Sequence, residues 1–346
     1  MEINNELMQK NGNDYKISLP IVKMGRRTAD AEMLYQQQVE LFCKRIKEVN
    51  SSLDFQVTSR GWCYLLEEYG LNKGDFDKAQ ILINDCRKSG NLPLNICAED
   101  STRTAEGIDN PDDSDIKDYA FEWVDYVRNS LAETYNPYFF IDFQEYYIEM
   151  LVEKIDLKGI FKPVCEEYHI PYANNKGWAD INSRASLMRR FKKWESKGKQ
   201  CVLLYCGDHD PGGLNISDTI RTNLSDLSRA VGWSPDHLII DRFGLNYDFI
   251  QANNLTWIEN LETGSSKRLD NPEHNDFKKP YVQTYLKQFG ARKVEANALV
   301  TRVEEGRKLC EDAVLKYINM DGIDKYNEAT EDARILLRKE IAKLMK

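Results

Sequence analysis

The sequence predicts an α/β protein with a mainly parallel sheet, because two kinds of segment alternate along one part of it. Within 146–242, short apolar runs typical of buried strands alternate with longer segments of helical periodicity. Such alternation places helices on both faces of a parallel sheet. The predicted strands are 146–152, 170–174, 202–205 and 238–242. The predicted helices run from about 155 to 168, over 181–196 and over 215–232.

Three carboxylates follow two of these strands. Glu153 comes directly after the first strand, and Asp208 and Asp210 follow the third after Cys206 and Gly207. Carboxyl ends of parallel strands meet at one edge, where open α/β sheets place their sites. Hard oxygen ligands suit Mg²⁺, or Mn²⁺, together with a phosphate. The alternative is a turn rich in Asp, Pro and Gly that has no chemistry.

The N-terminal part predicts a small helical module. Helices are expected over 29–49, 60–69 and 73–89, with short strands at 55–57 and 92–96. This size and order fit a winged-helix DNA-binding domain, although any small helical domain has a similar pattern. Residues 1–28 are expected to be a loose arm.

The middle of the chain predicts a linker and an aromatic segment. Residues 104–118 are acidic and contain Pro111, which is typical of a linker. A helix over 116–132 is expected to turn Tyr119, Trp123, Val124 and Val127 inward. The aromatic run 135–147 indicates core or interface. The predicted division is arm 1–28, winged helix 29–103, linker and connecting helix 104–134, metal-binding domain 135–300 and C-terminal helices 301–346.

Composition limits the class of protein further. The chain has 346 residues, 42% hydrophobic and 30% charged, with a net charge of −9. No apolar run approaches the roughly 20 residues of a membrane span, and the polar start does not fit a signal peptide. The eight cysteines have no metal or disulfide spacing, so reduced thiols and a cytoplasmic location are expected. The acidic charge disfavours nucleic acid, yet basic clusters occur around Lys154 and Arg184.

Several short motifs resemble one family. They are Thr58-Ser59-Arg60-Gly61-Trp62-Cys63-Tyr64, Leu151-Val152-Glu153-Lys154, Lys176-Gly177-Trp178, Gly207-Asp208-His209-Asp210-Pro211-Gly212-Gly213 and Val294-Glu295-Ala296-Asn297-Ala298-Leu299. Together, over about 55–300, they resemble the A subunit of topoisomerase VI and the related meiotic double-strand-break protein, including stand-alone bacterial and phage relatives. Asp85-Cys86-Arg87-Lys88-Ser89-Gly90 and Asp100-Ser101-Thr102-Arg103 are also similar to this family. The chain departs from it at Cys63, where an aromatic is usual, at Asn297, where an acid is usual, and over 251–290.

The resemblance implies a fold and a reaction. The fold would be an N-terminal winged helix, then a Toprim α/β domain with a parallel sheet, then a C-terminal helical extension. Tyr64 would attack a DNA phosphodiester and keep the 5′ phosphate, with Arg60 or Lys154 stabilising charge on the phosphate. Mg²⁺, or Mn²⁺, would bind Glu153, Asp208 and Asp210. The enzyme would be a type IIB topoisomerase A-like DNA-cleaving transesterase.

The resemblance also implies partners. In this family the tyrosine and the metal ligands come from different subunits of a homodimer, which makes double-strand breaks. A separate B-type ATPase subunit is a possible partner, and in a prokaryote the protein would be associated with the nucleoid. Double-stranded DNA is expected to contact Arg60, Arg87, Arg103, Lys154, Lys176 and Arg184.

Two other functions remain open from sequence. One is a Toprim endonuclease that hydrolyses DNA with metal-bound water, in which Tyr64 is a packed helix residue. The other is a non-catalytic DNA-binding subunit of a larger complex. A surface ion pair is the alternative role for Arg60, and solvated helix faces are the alternative for the basic clusters.

Overall fold

The structure is a computed structural model that describes residues 17, 19–20, 28–98, 115–174, 180–262 and 268–344. Its N-terminal part contains three helices: α1 (Ala29–Asn50), α2 (Ser59–Glu67) and α3 (Phe76–Lys88). The Thr58 side chain caps α2 by accepting a hydrogen bond from the backbone N–H of Gly61. The expected arm at 1–28 lies almost entirely outside the described residues.

Both short strands predicted in this part are wrong. Residues 55–57 form no strand, and Leu94–Ile96 is a single 3₁₀ turn. Pro93 has no backbone N–H to donate to a neighbouring strand. The carbonyl oxygen of Ile96 instead accepts a hydrogen bond from the indole N–H of Trp62 at 2.9 Å. A three-helix unit is therefore present, and no wing strand accompanies it within 28–98.

The helix after the predicted linker is exposed, contrary to expectation. It forms α4 (Ile116–Asn129) and is followed by the short α5 (Leu131–Thr134). No residue of α4 is buried, and Tyr119, Trp123 and Val124 are 47%, 53% and 49% exposed. The periodicity predicted the helix correctly, but its apolar face does not pack inward. The linker residues 104–114 lie outside the described part of the chain.

The central sheet confirms the α/β class. Its elements are β1 (Tyr146–Val152), α6 (Ile155–Glu167), β2 (Tyr172–Asn174), α7 (Ile181–Glu195), β3 (Gln200–Cys206), α8 (Pro211–Leu214), α9 (Ile216–Ser225), α10 (Ser228–Val231) and β4 (Ile239–Gly244). The four strands are all parallel in the order β2-β1-β3-β4. The helix predicted as one piece over 215–232 is interrupted at 226–227.

The sheet separates two hydrophobic clusters because successive side chains of a strand point to opposite faces. Ile148, Met150, Val202 and Leu204 join the cluster that also includes α6 and the N-terminal helices. Tyr147, Leu151, Leu203 and Tyr205 join the cluster with α7 and α9. The helices therefore cover both faces, as the strand order predicted.

The C-terminal part closes the first face. It contains α11 (Tyr247–Ala252), α12 (Pro280–Phe289), a 3₁₀ segment Ala296–Thr301, α13 (Val303–Leu315) and α14 (Met320–Leu344). The 3₁₀ segment packs between α2 and α6, so it joins the N-terminal helices to the sheet. All eight cysteines are free and buried. Within the described ranges, no helix has the length and apolarity needed to cross a bilayer.

Candidate functional site

Two of the predicted carboxylates meet at the carboxyl edge of the sheet. The chain leaves β1 with the N–H of Glu153 bonded to the carbonyl oxygen of Cys206 at 2.9 Å. Glu153 Oε2 then accepts a hydrogen bond from the backbone N–H of Asp208 at 2.8 Å. This contact depends on the parallel β1–β3 register, which pairs Val152 with Cys206. The predicted convergence of Glu153 and Asp208 is present in the structure.

The loop after β3 accepts only particular residues. A Cβ atom on Gly207 would lie 2.5 Å from Glu153 Oε2 and 2.7 Å from the Tyr205 ring, so a side chain there would displace the carboxylate. Arg242 on β4 holds the loop by donating to the carbonyl oxygens of Gly213 at 2.7 Å and Asp208 at 3.1 Å. Arg242 is a positioning residue that the sequence analysis missed, although its place at the end of the fourth strand was a usable signal.

Lys154 lies between the two carboxylates. Its Nζ is 2.9 Å from Glu153 Oε1 and 3.0 Å from Asp208 Oδ2. Burial and the charge of Glu153 raise the pKa of Asp208 to about 7, although Lys154 opposes the rise. Burial disfavours the Lys154 cation, but Asp208 and Glu153 outweigh it and raise the pKa of the lysine. The cluster therefore holds concentrated negative charge that a cation stabilises.

Asp210 lies at the start of α8 and caps it. Its Oδ1 accepts a hydrogen bond from the backbone N–H of Gly213 at 2.6 Å. Burial raises the pKa of Asp210, and the Gly213 N–H opposes the rise. Across the described ranges, no three His, Cys, Asp or Glu side chains are already arranged as a metal site. The donor set of Glu153, Asp208 and Asp210 nevertheless consists of hard oxygens suited to Mg²⁺ or Mn²⁺.

Tyr64 is buried on α2, where it is 1% exposed. Its hydroxyl donates a hydrogen bond to Glu295 Oε2 at 2.8 Å, and its ring meets Phe76 edge-on at 5.1 Å. Burial and the charge of Glu295 raise the pKa of the Tyr64 phenol far above its usual value. Its burial agrees with the packed-residue alternative, and its hydrogen bond provides an ionised acceptor for its proton.

Glu295 is the main residue that the sequence analysis missed. Arg60 donates to both of its carboxylate oxygens, at 3.2 and 3.4 Å. Burial raises the pKa of Glu295, but Arg60 and the Tyr64 hydroxyl outweigh it and keep that pKa below its usual range. Arg60 and Tyr64 share one helix face, as their spacing predicted. Glu295 lies inside a quoted motif, which was the signal available in the sequence.

A short chain of contacts joins Tyr64 to the carboxylates at the sheet edge. After Glu295, the backbone N–H of Ala296 donates to Asp208 Oδ1 at 2.8 Å. The hydroxyl of Tyr64, Glu295 and Asp208 are thus neighbours within one chain. The resemblance implies that the tyrosine and the metal ligands come from different subunits, and here a single chain already brings them together.

Asp156 attaches the N-terminal helices to this edge. It is 0% exposed and accepts hydrogen bonds from the Thr58 hydroxyl at 2.6 Å, from the Thr58 backbone N–H and from the Asn297 side-chain amide. Burial raises the pKa of Asp156, and the hydrogen bonds from Thr58 and Asn297 oppose the rise. An acid at position 297 would place a second carboxylate against Asp156, which gives a physical reason for Asn297.

Replacing Asp156 by alanine should lower the free energy of unfolding by about 3 kcal/mol or more, because buried donors lose their acceptor. Chemical denaturation measures this change. The control is Asp54→Ala. The Asp54 side chain is 62% exposed and pairs with Arg307, so its loss should lower the free energy of unfolding by at most about 1 kcal/mol. Equal stabilities of the two variants would show that the Asp156 contacts do not hold the N-terminal helices.

The predicted DNA-binding residues are not all brought together. Arg60 and Lys154 lie at the site. Arg87 instead donates to the carbonyl oxygen of Leu94 at 2.9 Å, and Arg184 donates to that of Asn223 at 3.4 Å. Arg103 and Lys176 lie outside the described residues, as do the Asp100–Arg103 and Lys176–Trp178 motifs.

Comparisons with protein-family models, curated proteins and solved structures found no match. The family resemblance therefore rests on the quoted motifs alone.

Proposed function

We propose that this chain is a divalent-metal-dependent DNA-cleaving enzyme with Tyr64 as its nucleophile, similar to the type IIB topoisomerase A subunit. Its winged-helix module would be the N-terminal three-helix unit, and its Toprim domain would be the sheet with its helices. The observation that best supports this proposal is the series of hydrogen bonds that links the Tyr64 hydroxyl through Glu295 and the neighbouring Ala296 to Asp208. It links a nucleophile, an ionised proton acceptor and paired carboxylates.

In the proposed reaction, one bond forms at phosphorus, one bond breaks there, and one proton is transferred. Glu295 takes the phenol proton while the Tyr64 oxygen bonds to the phosphorus, and the bond from phosphorus to the 3′ oxygen breaks. The proton finally appears on the 3′ hydroxyl, and the 5′ phosphate remains on Tyr64. Arg60 and Lys154 neutralise charge on the phosphate. Because the new ester conserves the energy of the broken bond, the strand can be resealed.

The carboxylates at the sheet edge fit a metal. Burial and the charge of Glu153 raise the pKa of Asp208, and a divalent cation would relieve this cost of ionising Asp208. A bound Mg²⁺ or Mn²⁺ would supply Lewis-acid charge neutralisation at the phosphate and the leaving oxygen. Lys154 already places a cationic group between Glu153 and Asp208.

Metal-dependent hydrolysis by water is a second candidate, and a specific observation favours it. Tyr64 is 1% exposed, and burial raises the pKa of its phenol, so ionisation is disfavoured in this conformation. In the hydrolytic reaction the carboxylates would do the same work, and Tyr64 would only support α2.

One experiment separates these functions. Supercoiled plasmid is incubated with the protein and Mg²⁺ or Mn²⁺, stopped with denaturant, and divided into samples with and without protease before electrophoresis. Broken DNA that enters the gel only after protease treatment indicates a covalent adduct and supports the Tyr64 reaction. Broken DNA that migrates equally in both samples indicates hydrolysis. Intact DNA under all conditions would contradict both reactions and leave a non-catalytic DNA-binding subunit.

DNA affinity should fall steeply with salt, because phosphate contacts release counterions and the chain has a net charge of −9. Replacing Arg60 by glutamine should reduce the slope of log affinity against log salt by about 1. Arg338→Gln is the control, because Arg338 lies on α14 and its exposed side chain pairs with Glu133 of α5 and with Glu331 of α14. Affinity that hardly changes between 50 and 200 mM salt, roughly the range where phosphate binding weakens most, would contradict this interface.

The enzyme should be a homodimer, because a double-strand break needs two sites. Light scattering should give twice the chain mass of 40.2 kDa. The segment 135–147 offers one surface: Phe139 is 66% exposed, whereas Phe140 packs on Tyr326 of α14 at 5.3 Å. The C-terminal helices offer another. A monomer at micromolar concentration, with and without DNA, would count against this prediction.

A further inference from the structure

A cluster of aromatic rings surrounds the residue between Asp208 and Asp210. His209 is 1% exposed, and its ring contacts Phe289 at 4.7 Å and Trp257 at 5.4 Å, both edge-on. Beneath it, the Tyr285 hydroxyl donates to the carbonyl oxygen of His209 at 2.9 Å. The loop that carries the two aspartates is therefore packed directly against these rings.

Backbone hydrogen bonds fix the rings in register with the site. His209 and Val294 exchange two hydrogen bonds, at 2.8 and 3.1 Å. Ile258 and Lys293 exchange two more, at 2.8 and 2.9 Å. Trp257 and Arg292 each lie next to a residue of the Ile258–Lys293 pair. Lys293 and Arg292 also precede Glu295 by two and three residues. Backbone hydrogen bonds therefore connect the ring cluster to the loop that carries the carboxylates.

The cluster has an inner and an outer layer. His209 and Tyr285 form the inner layer and are buried. In the outer layer, Tyr247 is 39% exposed and Trp257 and Phe289 are half-buried. The rings of Trp257 and Phe289 are nearly parallel, with centroids 6.4 Å apart, and Arg292 Cζ lies 4.2 Å from the Trp257 centroid. Core packing alone does not account for the partly exposed Tyr247 ring beside the half-buried side chain of Arg292.

We propose that this outer layer, the ring platform of Tyr247, Trp257, Phe289 and Arg292, stacks an unpaired nucleobase of the substrate strand. Aromatic faces and arginine planes bind bases by stacking, and a cation beside them favours a nucleic-acid strand. Placing that base next to the phosphate at Asp208 rests on the proposed function. The platform therefore makes DNA that is unpaired or melted near the cut the preferred substrate. The alternative is that the outer rings only close the core between α11 and α12.

Binding without metal tests the platform independently of cleavage. Fluorescence anisotropy in EDTA compares a labelled single-stranded oligonucleotide with a hairpin duplex of the same sequence. Tyr247→Ala should bind the single strand at least about fivefold more weakly, the smallest loss typical of one stacked base, and should change duplex binding less. Tyr247→Phe keeps the ring and should bind as the wild type does. Tyr119→Ala, which removes a tyrosine of similar exposure on α4, should also bind normally.

A second measurement needs no variant. An oligonucleotide with one 2-aminopurine should lose emission on binding the wild-type protein, since stacking quenches that base. The platform would be overturned if 2-aminopurine emission did not change on binding. It would also be overturned if Tyr247→Ala bound the single strand as tightly as the wild type does, or lost equal affinity for single strand and duplex. If plasmid is not cleaved but Tyr247→Ala still selectively weakens strand binding, the proposed reaction fails and the platform stands. If plasmid is cleaved and Tyr247→Ala changes nothing, only the platform fails.

Discussion

Replacing Tyr64 by phenylalanine should abolish the covalent protein–DNA adduct and reduce cleavage by roughly a thousandfold or more, because the attacking oxygen is lost. Folding should be little affected. Glu295 keeps its contacts with Arg60 and with Lys293 at 3.4 Å, so the lost hydrogen bond should cost about 1 kcal/mol. Cleavage of supercoiled plasmid and denaturing electrophoresis of the adduct measure both effects.

The structure offers a close control for this variant. Tyr147 is also a buried tyrosine that donates to a glutamate, Glu149, at 2.8 Å, and that glutamate is paired with Arg190 at 2.7 Å. Tyr147→Phe removes a similar hydrogen bond in the second cluster, away from the site, and should cleave normally. Peptide mapping of the adduct in the wild-type protein identifies the nucleophile even if Tyr64→Phe does not fold. Wild-type cleavage by a folded Tyr64→Phe variant would assign the reaction to water.

Asp208→Asn should reduce metal-dependent cleavage by roughly a thousandfold, because the metal supplies several kcal/mol to the transition state. Calorimetric titration of Mg²⁺ or Mn²⁺ should show strongly weakened binding. Asp241→Asn is the control, since Asp241 lies within β4 and is bonded by Tyr317 at 3.0 Å. Unchanged metal binding by Asp208→Asn would contradict the assignment of this carboxylate.

The same variant should change the pH dependence of stability in EDTA. The pKa of Asp208 is raised to about 7 in the folded protein, above the value of about 3.9 in an unfolded chain. Its contribution to stability is therefore present at low pH and is lost as the pH rises from about 4 to 7. Asp208→Asn lacks this titration, so its thermal midpoint should fall less than that of the wild type over that interval. Parallel curves for the two proteins would contradict the raised pKa.

Local pattern determined the elements that carry the site. The alternation of apolar runs and helical segments predicted all four strands and the parallel sheet, because buried parallel strands need continuous apolar runs and covering helices. It also placed Glu153 and Asp208 at one edge, since each comes one or two residues after a strand and the two strands run in the same direction. The spacing of Arg60 and Tyr64 gave their shared face from the helical repeat alone.

Other decisions came from contacts between distant segments. The sequence pattern could not show that the Trp62 indole N–H donates a hydrogen bond to the carbonyl oxygen of Ile96. A 3₁₀ turn therefore stands where a strand at 92–96 was predicted. Nor could the pattern show that the apolar face of α4 stays exposed, because periodicity identifies a face without identifying what covers it.

The sequence by itself determined the strands and helices, their order along the chain, and the positions of the carboxylates after the strands, because each depends on neighbours within a few residues. Only the tertiary structure decided that Glu295 accepts the Tyr64 hydrogen bond across 231 positions and that Asp156 holds Thr58 across 98. These residues are partners because the packing of the core brings their distant segments together. A buried hydroxyl or carboxylate must find a partner there, and local spacing does not specify which one.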